Sequence, residues 1–416
     1  VALIIRKIKQ EPRYLEKNFF YQNPLHTFQV LNKVQAIDRR LISAGLLARL
    51  TKFLISLELQ PGGPYGQSDS EPDFKLNTEI ALFLKNQGIN LPNLTPFNQK
   101  TRLRGGENDQ LLAHIFHLVK KSLRSLPKPF RQVIKTKVDA IISSDSDRQI
   151  LLLSYFFKLA LGQNGSRITP ETIYDLSLAN LWLWLSYSIY DDLIDNEESL
   201  TQLPSGNWAA REFILLINRQ RTSAEYRSLF KKIMTQMDYR QVWERRYARF
   251  KPGQEIIISA TASNYQKPSA LYHKSLAHAL GPLLILDQLK KSPNSESGKN
   301  VLSFFKYYLS VRQMQDDIYD LESDLEHGII TAANINLIKK HINPEQTRGY
   351  FLKRELPRLN AKISKYQNLA EEYLRAATII KHPDYLQQFL EPLKVNPAGI
   401  QEFLSVYQSN TPDLTY

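Results

Sequence analysis

Two short acidic runs constrain this chain more than any other feature. Asp191-Asp192-Leu193-Ile194-Asp195 closes the apolar run Leu176 to Tyr190, and Asp316-Asp317-Ile318-Tyr319-Asp320 closes the run Val301 to Gln315. Each reads as the polar end of a long helix that is otherwise buried. Residues four apart share a helix face, so Asp191 and Asp195 point the same way, and Asp316, Asp320 and Asp324 form one stripe. Like charges at that spacing repel, so a fold gains no stability from them. Divalent cations reverse the sign, because carboxylate oxygens are the ligands Mg²⁺ prefers. One acidic run on a helix is ordinarily a solvated face. Two copies of D-D-x-x-D, each after deeply apolar sequence, instead nominate Asp191, Asp192, Asp195, Asp316, Asp317 and Asp320 as metal ligands.

The rest of the chain predicts an all-α protein. Apolar residues recur at steps of three and four, and alternating runs are scarce. Pro and Gly gather in connections, at Gln60 to Pro72, Leu91 to Pro96, Leu126 to Pro129 and Ser292 to Gly298. The length, 416 residues, allows two or three domains or one large helical unit. The absence of cysteine excludes disulfides, zinc–thiolate sites and thiol nucleophiles, and fits a cytoplasmic protein. The chain opens on Val1, as a processed chain or a fragment does. No secretory leader is read, and no apolar stretch reaches the length of a membrane span. A net charge of +13 suits nucleic acid, an anionic membrane or anionic substrates. The basic residues are scattered rather than blocked with aromatics, which argues against nucleic acid.

Residues 1–108 stand apart. Leu46 to Leu59 is an amphipathic helix running into Gln60-Pro61-Gly62-Gly63-Pro64-Tyr65-Gly66, and Asn77 to Asn86 gives another helix stopped at Gly88. This turn resembles that of the α/α-toroid repeats of terpenoid cyclases and protein prenyltransferases. About 100 residues supply only a few such repeats, which need neighbours to close. The acidic D-x-D-D run of the protonating toroid enzymes is absent, so this region is assigned no chemistry. Lys100 to Gly106 reads as a solvated linker, and His114 and His117 as ordinary helix residues. Residues 109–128 form a linker helix and residues 129–416 one catalytic domain. Its expected helices are Arg148 to Gly162, Glu171 to Asp195, Ala209 to Asn218, Ala224 to Arg249, Ser269 to Leu289, Val301 to Glu326, and a charged helical tail from about Pro344.

Residues 130 to 340 resemble the trans-polyprenyl synthase family and, more broadly, the class I isoprenoid synthases. Four pieces carry the likeness: the helix Arg148-Gln149 to Leu161-Gly162, the helix ending in the first aspartate motif, Tyr272-His273-Lys274-Ser275, and Gln313-Met314-Gln315-Asp316-Asp317-Ile318-Tyr319-Asp320. The resemblance implies a bundle of antiparallel helices around a deep apolar cavity, with the two acidic ends facing each other across its mouth. It implies Mg²⁺ bridging them to the diphosphate of an allylic prenyl substrate, and a homodimer. Lys274 and Gln313 would contact the diphosphate and act with Asp191 and Asp316 in catalysis; Arg148 and Ser275 would bind substrate. Trp184, Tyr187 and Asp191 share one face. Bulky aromatics there either shorten the cavity, favouring a short product, or pack as interhelical core.

Three departures separate the chain from that family. Ser143-Ser144-Asp145-Ser146-Asp147 stands where the family has G-G-K-R, Asn196-Glu197-Glu198-Ser199 replaces the paired arginines after the first motif, and Trp184 replaces a histidine. Those missing groups hold isopentenyl diphosphate in the family. Three functions follow. The first is prenyl transfer to isopentenyl diphosphate, with Arg148 or Lys158 replacing the lost cradle. The second is a class I terpene cyclase that uses a single prenyl diphosphate, since Asp316 to Asp324 is also an all-aspartate form of that group's second motif. The third is a non-catalytic partner subunit of an active synthase.

Overall fold

The computed structural model describes residues 107–145, 148–195, 200–250, 267–340, 347 and 349–393. These lie in one compact unit, Arg104–Val395. The toroid-like reading of residues 1–108 falls outside the described residues, except for Glu107 and Asn108.

The architecture is all-α. Thirteen helices are described: α1 (Glu107–Arg124), α2 (Lys128–Ser144), α3 (Gln149–Ala160), α4 (Pro170–Asp195), α5 (Leu203–Arg219), α6 (Ala224–Tyr247), α7 (Pro268–Tyr272), α8 (Leu280–Gln288), α9 (Glu296–Tyr319), α10 (Leu321–Glu326), α11 (Ile335–Lys339), α12 (Leu356–Ala376) and α13 (Asp384–Gln387). The described residues hold no strand, only an isolated bridge between Arg249 and Ile329. None of their helices is long and apolar enough to cross a membrane.

Helices α3, α4 and α8 are the centre of the core. Phe157, Leu181, Trp182, Leu185 and Leu283 to Leu286 are fully buried there. Helix α4 is apolar around nearly its whole circumference, which marks a helix buried on all sides. Helices α5 and α3 pack against it, and α12 packs against α9. Two close approaches bring α8 onto α3 and α5 onto α4. A Cβ at Gly281 of α8 would stand 2.2 Å from the Ser154 hydroxyl of α3, and one at Gly206 of α5 would meet the Tyr190 ring of α4 at 2.9 Å.

Two expected helices are broken, and both breaks serve the cavity. Ser269 to Leu289 is not one helix: α7 ends at Tyr272, a turn and a 3₁₀ segment (Leu276–Ala279) follow, and α8 starts at Leu280. The cause is proline. Pro268 and Pro282 each sit in a first helical turn, where a missing N–H costs nothing, and neither suits a helix interior. Lys274 therefore lies in a turn. Val301 to Glu326 also divides, because Asp320 caps α9 before α10 begins. A tight loop after α10, with Gly328 at φ 68°, then returns the chain against the end of α6 through Phe250 N–H to Gly328 O (2.8 Å) and Ile330 N–H to Ala248 O (2.8 Å).

Candidate active site

The C-terminal ends of α4, α6 and α9 surround one cavity of about 560 Å³. Asp191 and Asp192 enter it from α4, Gln241 and Glu244 from α6, and Lys274, Ser275 and His278 from the broken segment. Arg312, Gln313, Asp316 and Asp317 enter from α9, and Asp320 and Asp324 from the cap and α10. The two acidic runs therefore meet at one site, although 125 residues separate Asp191 from Asp316 (316 − 191).

Asp191 and Asp316 share one condition. Neither carboxylate makes a hydrogen bond or ion pair with a described residue. Poor solvation pushes both upward from the ordinary carboxylate range, and nearby cations pull the other way: Lys274 and then Arg249 at Asp191, Arg312 and then Lys274 at Asp316. Asp316 has much of its own surface open to the cavity, yet protein surrounds it on the other sides, so the water that reaches it solvates the charge poorly. A carboxylate in that position has room for a further cation.

The remaining acids are partly spoken for. Asp317 is buried, and both its oxygens accept: Oδ1 from Gln313 Nε2 (2.8 Å) and Oδ2 from the Ala332 N–H (3.0 Å). Burial raises it to about 6. It anchors the loop after α10 to the end of α9, and Gln313 holds it there. Asp192 forms an ion pair with Lys137 of α2 at 3.2 Å. Asp324 is raised to about 8 by burial and by Asp317 and Asp320 beside it. The side chain of Asp195 lies outside the described residues; its backbone closes α4. Among the described residues no three carboxylate or histidine side chains stand close enough to hold one ion between them.

Lys274 is the cation on which the site converges. Its Nζ lies 3.2 Å from Glu244 Oε2, while Arg240 Nε lies 3.2 Å from Glu244 Oε1. Arg240 is itself buried, with its guanidinium 4.0 Å over the Trp243 ring. Sequence reading missed Glu244, Arg240 and Arg249, because an i, i+4 Arg–Glu pair on a charged helix looks like a solvated face. The Trp243 beside them was the available signal that this face is buried.

Tyr187 lines the cavity, and its hydroxyl donates to Asp238 Oδ1 at 2.6 Å. Trp184 lines it one turn deeper. Arg148 is not a cavity residue. It stands at the α2–α3 junction with φ 54°, and its Nη1 donates to Ile142 O at 3.0 Å. Lys158 likewise lies away, with its carbonyl packed against Gly165. Neither residue expected to rebuild the second anion cradle lines the cavity. The guanidinium groups that do belong to Arg249 and Arg312.

No family model and no curated relative matches the chain. Among solved structures, it is similar to a geranylgeranyl pyrophosphate synthase from Lactobacillus brevis ATCC 367, at 17% identity over 75% of this chain and 98% of that one, with a TM-score of 0.46. It is also similar to a structure from Corynebacterium glutamicum assigned as a geranylgeranyl pyrophosphate synthase, at 14% identity over 73% of this chain and 95% of that one, with a TM-score of 0.42. Identity this low carries no activity across; the side chains around the cavity must do that.

Proposed function

We propose that this cavity ionises an allylic prenyl diphosphate in the presence of Mg²⁺. The observation that carries the reading is the pair Asp191 and Asp316: two carboxylates on different helices, facing one cavity, without hydrogen-bonded partners, and both within the field of Lys274. A fold does not gain from that arrangement, but an anionic ligand that arrives with metal does.

The donor set fits Mg²⁺, which takes one or two carboxylates and completes its octahedron with phosphate oxygens and water. A preformed group of three protein ligands is therefore not required. Asp191 on the first run and Asp316 with Asp320 on the second would each hold metal ions, with Asp192 and Asp195 as further oxygens of the first run. Asp317, with both oxygens engaged, acts by positioning the second run. Bound there, the metal would neutralise charge on the departing diphosphate. Lys274 points its ammonium at the same place, and Arg312 and Arg249 border it. The apolar side chains below, Ile150, Leu153, Trp184 and Leu309, take the prenyl chain and keep water from the cation. The volume is within the ~300–1,000 Å³ usual for small-molecule pockets.

The first outcome for that cation is transfer to isopentenyl diphosphate, giving a short-chain prenyl diphosphate. The second is cyclisation of a single prenyl diphosphate; the positions of Arg148 and Lys158 outside the cavity favour it. Incubation with Mg²⁺ and farnesyl diphosphate, with and without isopentenyl diphosphate, separates them. Longer diphosphates support transfer, and hydrocarbons or alcohols support cyclisation. No diphosphate release at any chain length would leave the partner-subunit reading. Homodimerisation stands as a further proposal, read by sedimentation.

A further inference from the structure

One group in the cavity has no part in holding the diphosphate. His278 sits on the 3₁₀ segment that follows Lys274, lines the cavity and is 9% exposed. Its hydrogen bonds fix its tautomer. The Ile150 carbonyl can only accept, so the Asn180 atom 2.8 Å from it is the amide nitrogen. The other Asn180 atom is then the oxygen, which also can only accept, and it lies 2.8 Å from His278 Nδ1. Nδ1 therefore carries the hydrogen. Burial, with the positive Arg312 nearby, lowers the imidazole to about 3, so the ring is neutral and its single hydrogen is accounted for. Nε2, on the opposite edge, holds a lone pair.

The position is as specific as the tautomer. Trp184 covers the imidazole, with ring centroids 4.4 Å apart. Trp184 lies seven residues before Asp191 on α4, which is about 10 Å down a helix at 1.5 Å per residue. His278 is thus well below the carboxylates, beside the part of the cavity that holds carbons remote from the leaving group.

We infer that His278 Nε2 is the proton acceptor that ends the reaction, for a carbocation that has moved along the prenyl chain. The inference rests on the reading that this cavity ionises a prenyl diphosphate. The step balances without a co-reactant. A C–H bond beside the cationic carbon breaks, its electron pair becomes the second bond of a C=C, and the proton passes to Nε2 to give an imidazolium. That proton then returns to water as the product leaves. A low basicity suits this role, because a hydrogen next to a carbocation is acidic enough for any neutral imidazole. A ring that does not protonate in advance is always ready to accept.

The test uses the full chain with Mg²⁺ and farnesyl diphosphate, measuring diphosphate released and organic product formed, for the wild type, His278→Phe and His278→Gln. Phenylalanine keeps the ring beside Trp184, whereas glutamine keeps an N–H for the Asn180 oxygen, so the two variants perturb packing differently. Hydrocarbon formed per diphosphate released is expected to fall by about 10²-fold in both, the scale of general-base catalysis, with water-captured alcohol or a displaced double bond in its place. An unchanged product ratio in either folded variant overturns the inference while leaving the ionisation reading intact. Diphosphate release only when isopentenyl diphosphate is added, with no hydrocarbon, overturns the inference alone; absence of release by the wild type with and without isopentenyl diphosphate overturns both.

Discussion

Replacing Asp191 or Asp316 by asparagine should leave the metal-free protein as stable as before or slightly more so, while removing its response to ligand. Both carboxylates are held above their ordinary range by poor solvation and have no described hydrogen-bond partner. The charged form of each therefore carries a cost to the fold that a neutral amide does not bear. Lys274 and the neighbouring arginines offset part of that cost, so the net relief is on the order of 1 kcal/mol per site, the scale of a single favourable surface-charge change. In Tm this is a rise of roughly 2–4 °C for a domain of this size. Ligand acts with the opposite preference. Mg²⁺ with inorganic diphosphate at one hundred times its Kd stabilises the wild type by about 2.7 kcal/mol, or roughly 5–11 °C, and the asparagine variants should show little of this. Thermal unfolding followed by circular dichroism, with and without Mg²⁺ and diphosphate, reads all of it. A metal-free Tm that falls by about 5 °C or more in the variants would mean the carboxylates are structural, since that exceeds 1 kcal/mol. The same conclusion would follow from a wild type indifferent to metal and diphosphate together.

Lys274→Met should cost both stability and turnover. It removes one of the cations that neutralise buried Glu244 while Arg240 stays in place, so the loss is below the ~3–5 kcal/mol of a fully broken buried pair, about 1–3 kcal/mol by denaturant melts. Diphosphate release should drop about 10²–10³-fold. A second prediction concerns Asp145, whose two carboxylate oxygens cap α3 at the Ile150 N–H, 3.1 and 3.2 Å away. Burial raises it to about 6 in the fold, so its contribution is full below about pH 4 and is lost as pH rises through 6. Asp145→Asn keeps an acceptor and should remove that loss: its unfolding free energy should gain about 1–3 kcal/mol on the wild type between pH 4 and 7. Equal pH dependence of the two proteins would count against it. Finally, Arg148→Ala should lower stability by about 1 kcal/mol, through the lost bond to Ile142 O, and leave kcat/KM unchanged. A selective rise in KM would return Arg148 to the binding site.

Much of the site was legible because its signal is local. An acidic run at the end of an apolar helix is a contradiction within a dozen residues, and Asp191, Asp316 and Asp320 all line the cavity. Lys274, Ser275, Gln313, Trp184 and Tyr187 line it too. What could not be read was whatever depends on which helix faces which. Glu244 and His278 reach the cavity from α6 and from a 3₁₀ segment, and their partners Lys274 and Asn180 lie 30 and 98 positions away (274 − 244; 278 − 180). Arg148, a basic residue opening an apolar helix, looks aimed at the helix's buried side; its left-handed backbone at the junction turns it toward α2, and it does not line the cavity. The continuous helices expected at Ser269–Leu289 and Val301–Glu326 overlooked Pro282, which fixes a helix start, and Asp320, which ends one. Both breaks turn polar groups inward that a continuous helix would have spread around its circumference.

The most direct measurement is a crystal structure of the protein with Mn²⁺ in place of Mg²⁺ and a non-ionising thio-analogue of farnesyl diphosphate, with the metal located by its anomalous scattering. The expected result is metal on both Asp191 and Asp316, with the metal in contact with analogue diphosphate oxygens, and the prenyl chain running down past Trp184 and His278. A diphosphate bound elsewhere, or metal on only one acidic run, would contradict it.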